Sequence, residues 1–241
     1  MSFDQWVIGR LRVHGAYAGV VDSVPGRQMV AGLKRFQQAS GLKPTGLADE
    51  ATVGLLRRDP QKPGVDLTMF EKMPIPTEPV WMREARRFMG LKEVAGAGSN
   101  STIIGWAKRL GGWVASYYTN DDIPWCGLAL AHWISFTLPS EPLPGNYLSA
   151  LAWANFGIRL ETPARGAVLV FKRPGGGHVG LYVGEDASHF HVLGGNQSNS
   201  VSVTRIEKAR LVAIRWPATG GEPAGGRVTL TASGAVSRNE A

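Results

Sequence analysis

The chain has 241 residues, enough for one large domain or two modest ones. Hydrophobic residues make up 44% of the sequence and charged residues 19%, which excludes wholesale disorder, collagen and coiled coil. Lysine and arginine number 26 against 19 acidic residues, and the formal net charge of +7 favours an anionic partner. Nucleic acid, a membrane surface and an anionic cell-wall polymer all fit that charge. The single cysteine, Cys126, excludes an intramolecular disulfide, so this residue is either packed in the core or a reactive thiol.

Apolar residues recur at helical spacing in three stretches of the first sixty residues: Val7, Ile8, Leu11; Val30, Leu33, Phe36; and Val53, Leu55, Leu56. Glycine-containing turns separate these stretches, so the pattern predicts a small three-helix domain over residues 1–60. Nothing in this region suggests a pair of catalytic side chains.

The turns and the second helix of this region carry a family resemblance. Phe36-Gln37 and Gly41-Leu42 form the motif Phe-Gln-x-x-x-Gly-Leu, and a glycine-rich turn from His14 to Asp22 precedes it. The segment resembles bacterial peptidoglycan-binding domains of the three-helix type, although Ser23 and Thr45 depart from the usual glycine and aspartate. The resemblance implies that the partner is bacterial peptidoglycan.

Two stretches divide the rest of the chain. Prolines crowd between residues 59 and 79 and predict a stiff, extended linker over 61–79. Glycines surround Pro223, so we expect 218–241 to be a flexible tail after a domain over 80–217.

That larger domain reads as helices followed by strands. We predict helices over 81–90, 101–110 and 122–138. Short runs of β-type residues then predict five strands, over 167–171, 178–183, 189–193, 201–206 and 211–216. The expected fold class is therefore α+β, with a helical half followed by an antiparallel sheet of about five strands.

Cys126 falls near the predicted start of the helix over 122–138. Asp122 can cap this helix, and Pro124 fits its first turn. Unpaired N–H groups at a helix start favour the thiolate, which is the nucleophilic form of cysteine. Trp125, beside the thiol, is a candidate for lining a substrate groove. The other tryptophans at helical spacing are predicted to be mostly core residues: Trp106, Trp113, Trp133 and Trp153.

Two further polar residues follow in the strand region. His178 begins the second predicted strand after a run of three glycines, and Asn196 lies in a turn after the third strand. One strand and one turn separate them, which predicts that they lie side by side on neighbouring strands. A cysteine–histidine site needs a third group that orients the imidazole, and an amide serves that purpose.

These three segments together carry a second resemblance. The motifs are Asp-x-Pro-Trp-Cys ending at Cys126, Gly-His-Val-Gly from Gly177, and Gly-Gly-Asn-Gln from Gly194. They resemble the CHAP and NlpC/P60 group of papain-like cell-wall amidases and endopeptidases, close to a phage-type subfamily, over residues 81–216. The resemblance implies a papain-like fold, with Cys126 as nucleophile, His178 as general base and Asn196 as the orienting group.

This sequence departs from the group at Gly194, where many CHAP members have an acidic residue, so Asn196 would work alone or with help from Gln197. Tyr118 and Asp122 are near enough in the chain to support the site as well. Glu93 is expected to be structural, at a helix end and turn. No cofactor is expected.

Three alternatives remain. His189 and His191, two apart on one strand, together with His178 and Asp186, would suit a catalytic zinc site. A non-catalytic wall-binding protein is the second. A nucleic-acid-binding protein is the third, but the basic residues are scattered and form no known motif.

The sequence therefore predicts a monomeric, endolysin-like peptidoglycan hydrolase. The bond would be either the N-acetylmuramoyl-L-alanine amide or a peptide bond of the stem or cross-bridge. The first twelve residues lack an apolar segment and predict no signal peptide, so we expect synthesis in the cytoplasm and release through a pore or a secretion system. The longest uncharged run, 123–140, is shorter than the roughly 20 apolar residues of a spanning helix, so no stable membrane insertion is expected.

Overall fold

The computed structural model describes residues 1–66 and 73–236, and only the backbone of 62–66. The α-helices are α1 (Phe3–Val13), α2 (Arg27–Ala39), α3 (Glu50–Leu56), α4 (Val80–Arg86), α5 (Ser101–Leu110), α6 (Gly112–Tyr117) and α7 (Cys126–Thr137). The strands are β1 (Arg58–Asp59), β2 (Lys62–Asp66), β3 (Ile158–Arg159), β4 (Val168–Arg173), β5 (Gly176–Glu185), β6 (His189–Gly194), β7 (Ser202–Glu207) and β8 (Leu211–Trp216). Short 3₁₀ helices cover Ala150–Asn155 and Lys208–Arg210. The prediction of an α+β fold with a helical N-terminal region is confirmed.

The main sheet is antiparallel and has six strands in the order β3-β8-β4-β5-β6-β7. The five predicted strands are present, and the additional strand is the two-residue β3 at the edge. Helix α7 is almost entirely buried and contacts β5 and β6 as well as α4 and α5. Because every side of α7 meets another element, its sequence is nearly continuously apolar rather than amphipathic.

The N-terminal helices are tied together by one buried amide. The side-chain nitrogen of Gln37 donates to Thr45 Oγ1, to the Leu47 carbonyl and to Thr52 Oγ1, at 2.9 to 3.0 Å. Its Oε1 accepts from the Gly46 N–H at 2.8 Å. The glutamine of the Phe-Gln motif therefore fixes the loop between α2 and α3, because every polar atom of its buried amide is hydrogen-bonded.

The N-terminal domain packs directly on the larger domain. Arg83 of α4 makes two hydrogen bonds to the Asp4 carboxylate, at 2.6 and 2.9 Å, and its guanidinium lies 5.3 Å from the centre of the Phe3 ring. Lys34 donates to Ser140 Oγ at 3.3 Å. The linker predicted over 61–79 includes residues 67–72, which lie outside the described residues. Before this gap, β2 pairs with β1, and after it the Met73 carbonyl accepts a hydrogen bond from Arg57.

The segment after residue 217 differs from the tail that its composition predicts. Val228 N–H donates to Tyr182 Oη at 3.0 Å, the Leu230 N–H donates to the Glu185 carbonyl at 2.8 Å, and the Arg205 N–H donates to the Ala235 carbonyl at 2.9 Å. Residues 228–235 thus make backbone contacts with the main sheet, which composition alone does not reveal. Residues 237–241 of the predicted tail lie outside the described residues. Within the described part of the chain, no helix has the length and apolar character needed to span a bilayer.

Candidate active site

Cys126 is the first residue of α7 and its side chain is buried. The backbone N–H groups of Val179, Gly127 and Cys126 itself face the sulfur, so the thiol lies against β5 at Val179, the residue that follows His178. Burial raises the pKa of the Cys126 thiol, and these N–H groups and the charge of Arg173 only partly oppose this rise. The expectation that the helix start favours the thiolate is therefore corrected, because desolvation outweighs the helix N-terminus in the free protein.

His178 is the third residue of β5 and its side chain is fully buried. Its Nε2 lies 3.2 Å from Oε1 of Gln197. The Gln197 nitrogen is already committed, because it donates to the carbonyls of Ser202 at 2.6 Å and Val192 at 3.2 Å. Since Oε1 is an acceptor only, His178 Nε2 must carry the proton that forms this hydrogen bond. In the neutral imidazole the lone pair then resides on Nδ1, which is the nitrogen able to accept a proton.

Asn196 does not make the hydrogen bond that its position in the motif predicts. Its side chain is buried, its φ is +58°, and its Oδ1 has no hydrogen-bond partner among the described residues. The side chain that contacts the His178 ring is that of Gln197, which the sequence prediction names only as possible support. The reason is local, since Asn196, Ser198 and Asn199 all have positive φ and the turn rotates each side chain away from strand alternation.

The two glycines before Asn196 allow the turn to approach the site closely. A Cβ on Gly194 would lie 3.0 Å from His178 Nε2 and 3.0 Å from the Gln197 side-chain amide. A Cβ on Gly195 would lie 2.7 Å from the Trp125 ring and from Ala129 Cβ. A side chain at position 194 would therefore crowd the contact between His178 and Gln197, which accounts for Gly194.

Trp125 is fully buried, which corrects the prediction that it lines a substrate groove. Its Nε1 donates to Glu93 Oε1 at 2.6 Å, and its ring packs under Gly195. Burial raises the pKa of Glu93, the Trp125 hydrogen bond opposes the rise, and Asp121 and Asp122 add to it. Glu93 therefore positions the residue that precedes the cysteine, a contact between distant segments that the sequence did not indicate.

The other two predicted supporting residues, Tyr118 and Asp122, belong to the segment before α7. Tyr118 is buried and its hydroxyl donates to the Ile123 carbonyl, so this hydroxyl is committed to the loop before α7. Burial raises the pKa of Tyr118, and neighbouring Glu93 and Cys126 raise it further. Asp122 is exposed and does not cap α7, whose N-cap residue is Trp125 with no side-chain cap. The helix starts four residues later than predicted because Asp121 and Asp122 belong to the preceding loop.

The histidines proposed as zinc ligands belong to a second cluster at the opposite end of β5 and β6. Asp186 Oδ2 accepts from Arg205 Nε at 2.8 Å and lies 3.0 Å from His191 Nε2, while His189 Nδ1 is 3.8 Å from Oδ1. His191 pairs with Gly184, which lies six residues after His178 along β5, so the two histidines are roughly 20 Å apart. Zinc–nitrogen bonds of about 2 Å cannot join histidines that far apart. The residues that the structure describes contain no group of three His, Cys, Asp or Glu side chains arranged to hold a metal.

Comparisons with known proteins inform the N-terminal region. Residues 5–56 match a protein-family model whose description reads "Putative peptidoglycan binding domain". This match supports a cell-wall-related protein with peptidoglycan as its partner. Comparisons with curated proteins and with solved structures found no match. The cysteine site lies outside the matched residues, so its chemistry has to be argued from geometry.

Proposed function

We propose that this protein hydrolyses an amide bond of bacterial peptidoglycan, with Cys126 as the nucleophile, His178 as the general base and acid, and Gln197 as the orienting residue. The observation that carries the proposal is the contact between the Cys126 thiol and Val179, directly after a histidine whose Nε2 is held by a fixed amide. This arrangement supplies the nucleophile, base and orienter that thiol hydrolysis needs.

Proton transfer begins the reaction. Because burial raises the pKa of Cys126, the free protein holds a thiol, and the thiolate forms when His178 Nδ1 accepts its proton. Gln197 Oε1 stabilises the resulting imidazolium through the Nε2–H bond, as a neutral amide acceptor does in a cysteine–histidine–amide site.

The thiolate then attacks the amide carbonyl and forms a tetrahedral intermediate. The C–N bond breaks as His178 returns the proton to the leaving amine, and water hydrolyses the thioester that remains. The backbone N–H of Cys126, the first residue of α7, is a candidate donor to the developing oxyanion.

The N-terminal domain would raise the local concentration of wall polymer at this site. Its packing on the larger domain through Asp4 and Arg83 would give bound polymer a fixed direction relative to Cys126. With the resemblance of residues 81–216 to phage-type amidases, this arrangement favours an endolysin-like role.

Release of soluble muropeptides from purified peptidoglycan tests the proposal. Wild type should release them, Cys126→Ala should not, and wild type with a chelator should remain active. Mass spectrometry of the products identifies the bond. Sedimentation with insoluble peptidoglycan, measured on the same samples, shows whether Cys126→Ala still binds its substrate.

Two results would contradict the thiol mechanism. Activity that survives Cys126→Ala and vanishes with the chelator would favour a metal hydrolase. Wild type that sediments with peptidoglycan without releasing any product would favour a non-catalytic wall-binding protein.

A further inference from the structure

Trp113 differs from every other tryptophan of the chain. All eight tryptophans lie in the described residues; seven are at most 2% exposed, whereas Trp113 is 50% exposed. Helical spacing predicts a core position for it, so this prediction is wrong. A half-exposed indole costs the protein favourable burial, and an exposed aromatic group of this size is typical of a binding surface.

Two tyrosines extend the exposed ring into a larger surface. Tyr117, 56% exposed, lies one turn along α6, and its ring centre is 5.9 Å from that of Trp113. Tyr147 belongs to the loop before the first 3₁₀ helix, and its ring centre is 6.2 Å from that of Trp113. The Tyr147 carbonyl accepts from the buried Trp153 Nε1 at 2.9 Å, which anchors the loop. We call Trp113, Tyr117 and Tyr147 the aromatic platform.

The aromatic platform is connected to the chain around Cys126 by two contacts. A Cβ on Gly127, the residue after Cys126, would lie 2.4 Å from the Tyr147 carbonyl oxygen, so the Tyr147 backbone touches the first turn of α7. Tyr118, which follows Tyr117, donates its hydroxyl to the carbonyl of Ile123, three residues before Cys126. Both segments that carry the platform therefore contact the chain immediately around Cys126, which places the platform near the candidate nucleophile.

We propose that the aromatic platform binds a sugar ring of the peptidoglycan glycan strand. The C–H face of a pyranose is apolar and its rim is hydroxylated, which suits aromatic rings with one apolar face and a polar edge in water. The stem peptide carries carboxylates and amines, whereas none of the three platform side chains is charged at neutral pH. The matched peptidoglycan-binding domain places the same polymer on this chain.

This location also selects the bond, an inference that rests on the proposed function. The lactyl amide is attached directly to muramic acid. Each bond of the stem lies a further residue away, at roughly 3.5 Å per residue, and a cross-bridge bond lies three or four residues away, about 10 to 14 Å along the peptide. With a sugar held near Cys126, the nearest amide is the one between muramic acid and L-alanine.

Fluorescence titration of Cys126→Ala protein tests the sugar site without turnover. The probes are a disaccharide-tripeptide muropeptide and the same tripeptide without sugar. The muropeptide should shield the exposed Trp113 from acrylamide quenching, and the tripeptide should not. In the Cys126→Ala protein, the further substitution Trp113→Ala should weaken muropeptide binding about tenfold, whereas Trp113→Phe should retain most of the affinity. Val212→Ala, at an exposed apolar position on β8, is the matched control and should bind normally.

The proposed function is tested separately, by muropeptide release from wild type, so its failure can be told apart from failure of the sugar site. Unchanged muropeptide affinity in the Trp113→Ala protein would overturn the sugar site even if wild type is active. Equal shielding by the sugar-free tripeptide, or a dimer lost in Trp113→Ala on sedimentation, would also overturn it. Products cut within the stem peptide would overturn the assignment of the bond.

Discussion

The two ends of the β5–β6 pair place histidines in opposite settings. At one end, His178 contacts a neutral amide and adjoins a thiol. At the other end, His191 contacts the carboxylate of Asp186, which also accepts from Arg205. The Arg205 hydrogen bond holds the pKa of Asp186 well below its usual range, and the N–H groups of Ser188 and His189 assist.

Under the proposed function, this difference separates a catalytic histidine from a structural one. The Asp186 carboxylate also accepts from two turn N–H groups, so it ties Arg205 and His191 to the turn that closes the β5–β6 hairpin. A neutral amide fixes the ring without adding charge, so the imidazole remains able to take up and release a proton. The sequence offers both ends as histidine clusters, and only the partners distinguish them.

Removing each histidine in turn should give the largest contrast. His178→Ala should lower the rate of muropeptide release by at least about 1000-fold, because no other base adjoins the thiol. His191→Ala should leave that rate nearly unchanged and lower the free energy of unfolding by about 1–3 kcal/mol, since a hydrogen bond to a charged group is lost. Turbidity loss of purified peptidoglycan and urea unfolding measure the two effects. A greater loss of activity in His191→Ala than in His178→Ala would contradict this assignment and favour the metal hypothesis.

The contrast between Gln197 and Asn196 should be smaller and more specific. Gln197→Ala removes the acceptor of the Nε2–H bond and should slow release on the order of 100-fold, because the ring is no longer held in one tautomer. Asn196→Gly keeps the positive φ without strain and should cost far less. The rates of both variants, with circular dichroism as a folding control, decide the assignment. A larger loss in Asn196→Gly would restore the orienting role to Asn196.

The sequence predicts periodic elements better than it predicts contacts within turns. Cys126 at a buried helix and His178 at a strand start follow from apolar patterns, and both are where those patterns place them. The exchange between Asn196 and Gln197 was not predictable, because residues in a positive-φ turn follow no period.

Trp113 shows the same limit in a helix. It lies seven residues after the buried Trp106, a helical spacing that predicts a core position. Gly111 and Gly112, both with positive φ, instead end α5 and redirect α6, so the ring turns outward. Two glycine conformations therefore decide whether this tryptophan is a core residue or part of the aromatic platform.

His132 provides a third histidine setting and the smallest predicted effect. It stacks on Trp106 and Phe136 at ring distances of 5.3 and 5.4 Å, and neither ring nitrogen has a hydrogen-bond partner in the described chain. Burial lowers the pKa of His132 to about 3, and Arg109, Arg27 and Arg87 add to the shift. In the unfolded chain, His132 takes up a proton as the pH falls through about 6.5, whereas in the folded protein it stays neutral.

This difference in proton uptake makes the folded protein less stable at low pH. The free energy of unfolding keeps its full value above pH 6.5 and falls as the pH is lowered, by about 2 kcal/mol at pH 5 for His132 alone. His132→Phe keeps the aromatic stack and removes the titrating group, so its advantage over wild type in urea unfolding should grow by that amount between pH 7 and pH 5. If the free energies of unfolding of wild type and His132→Phe changed with pH in parallel, the His132 ring would have to be hydrogen-bonded or hydrated in the folded protein, contrary to this prediction.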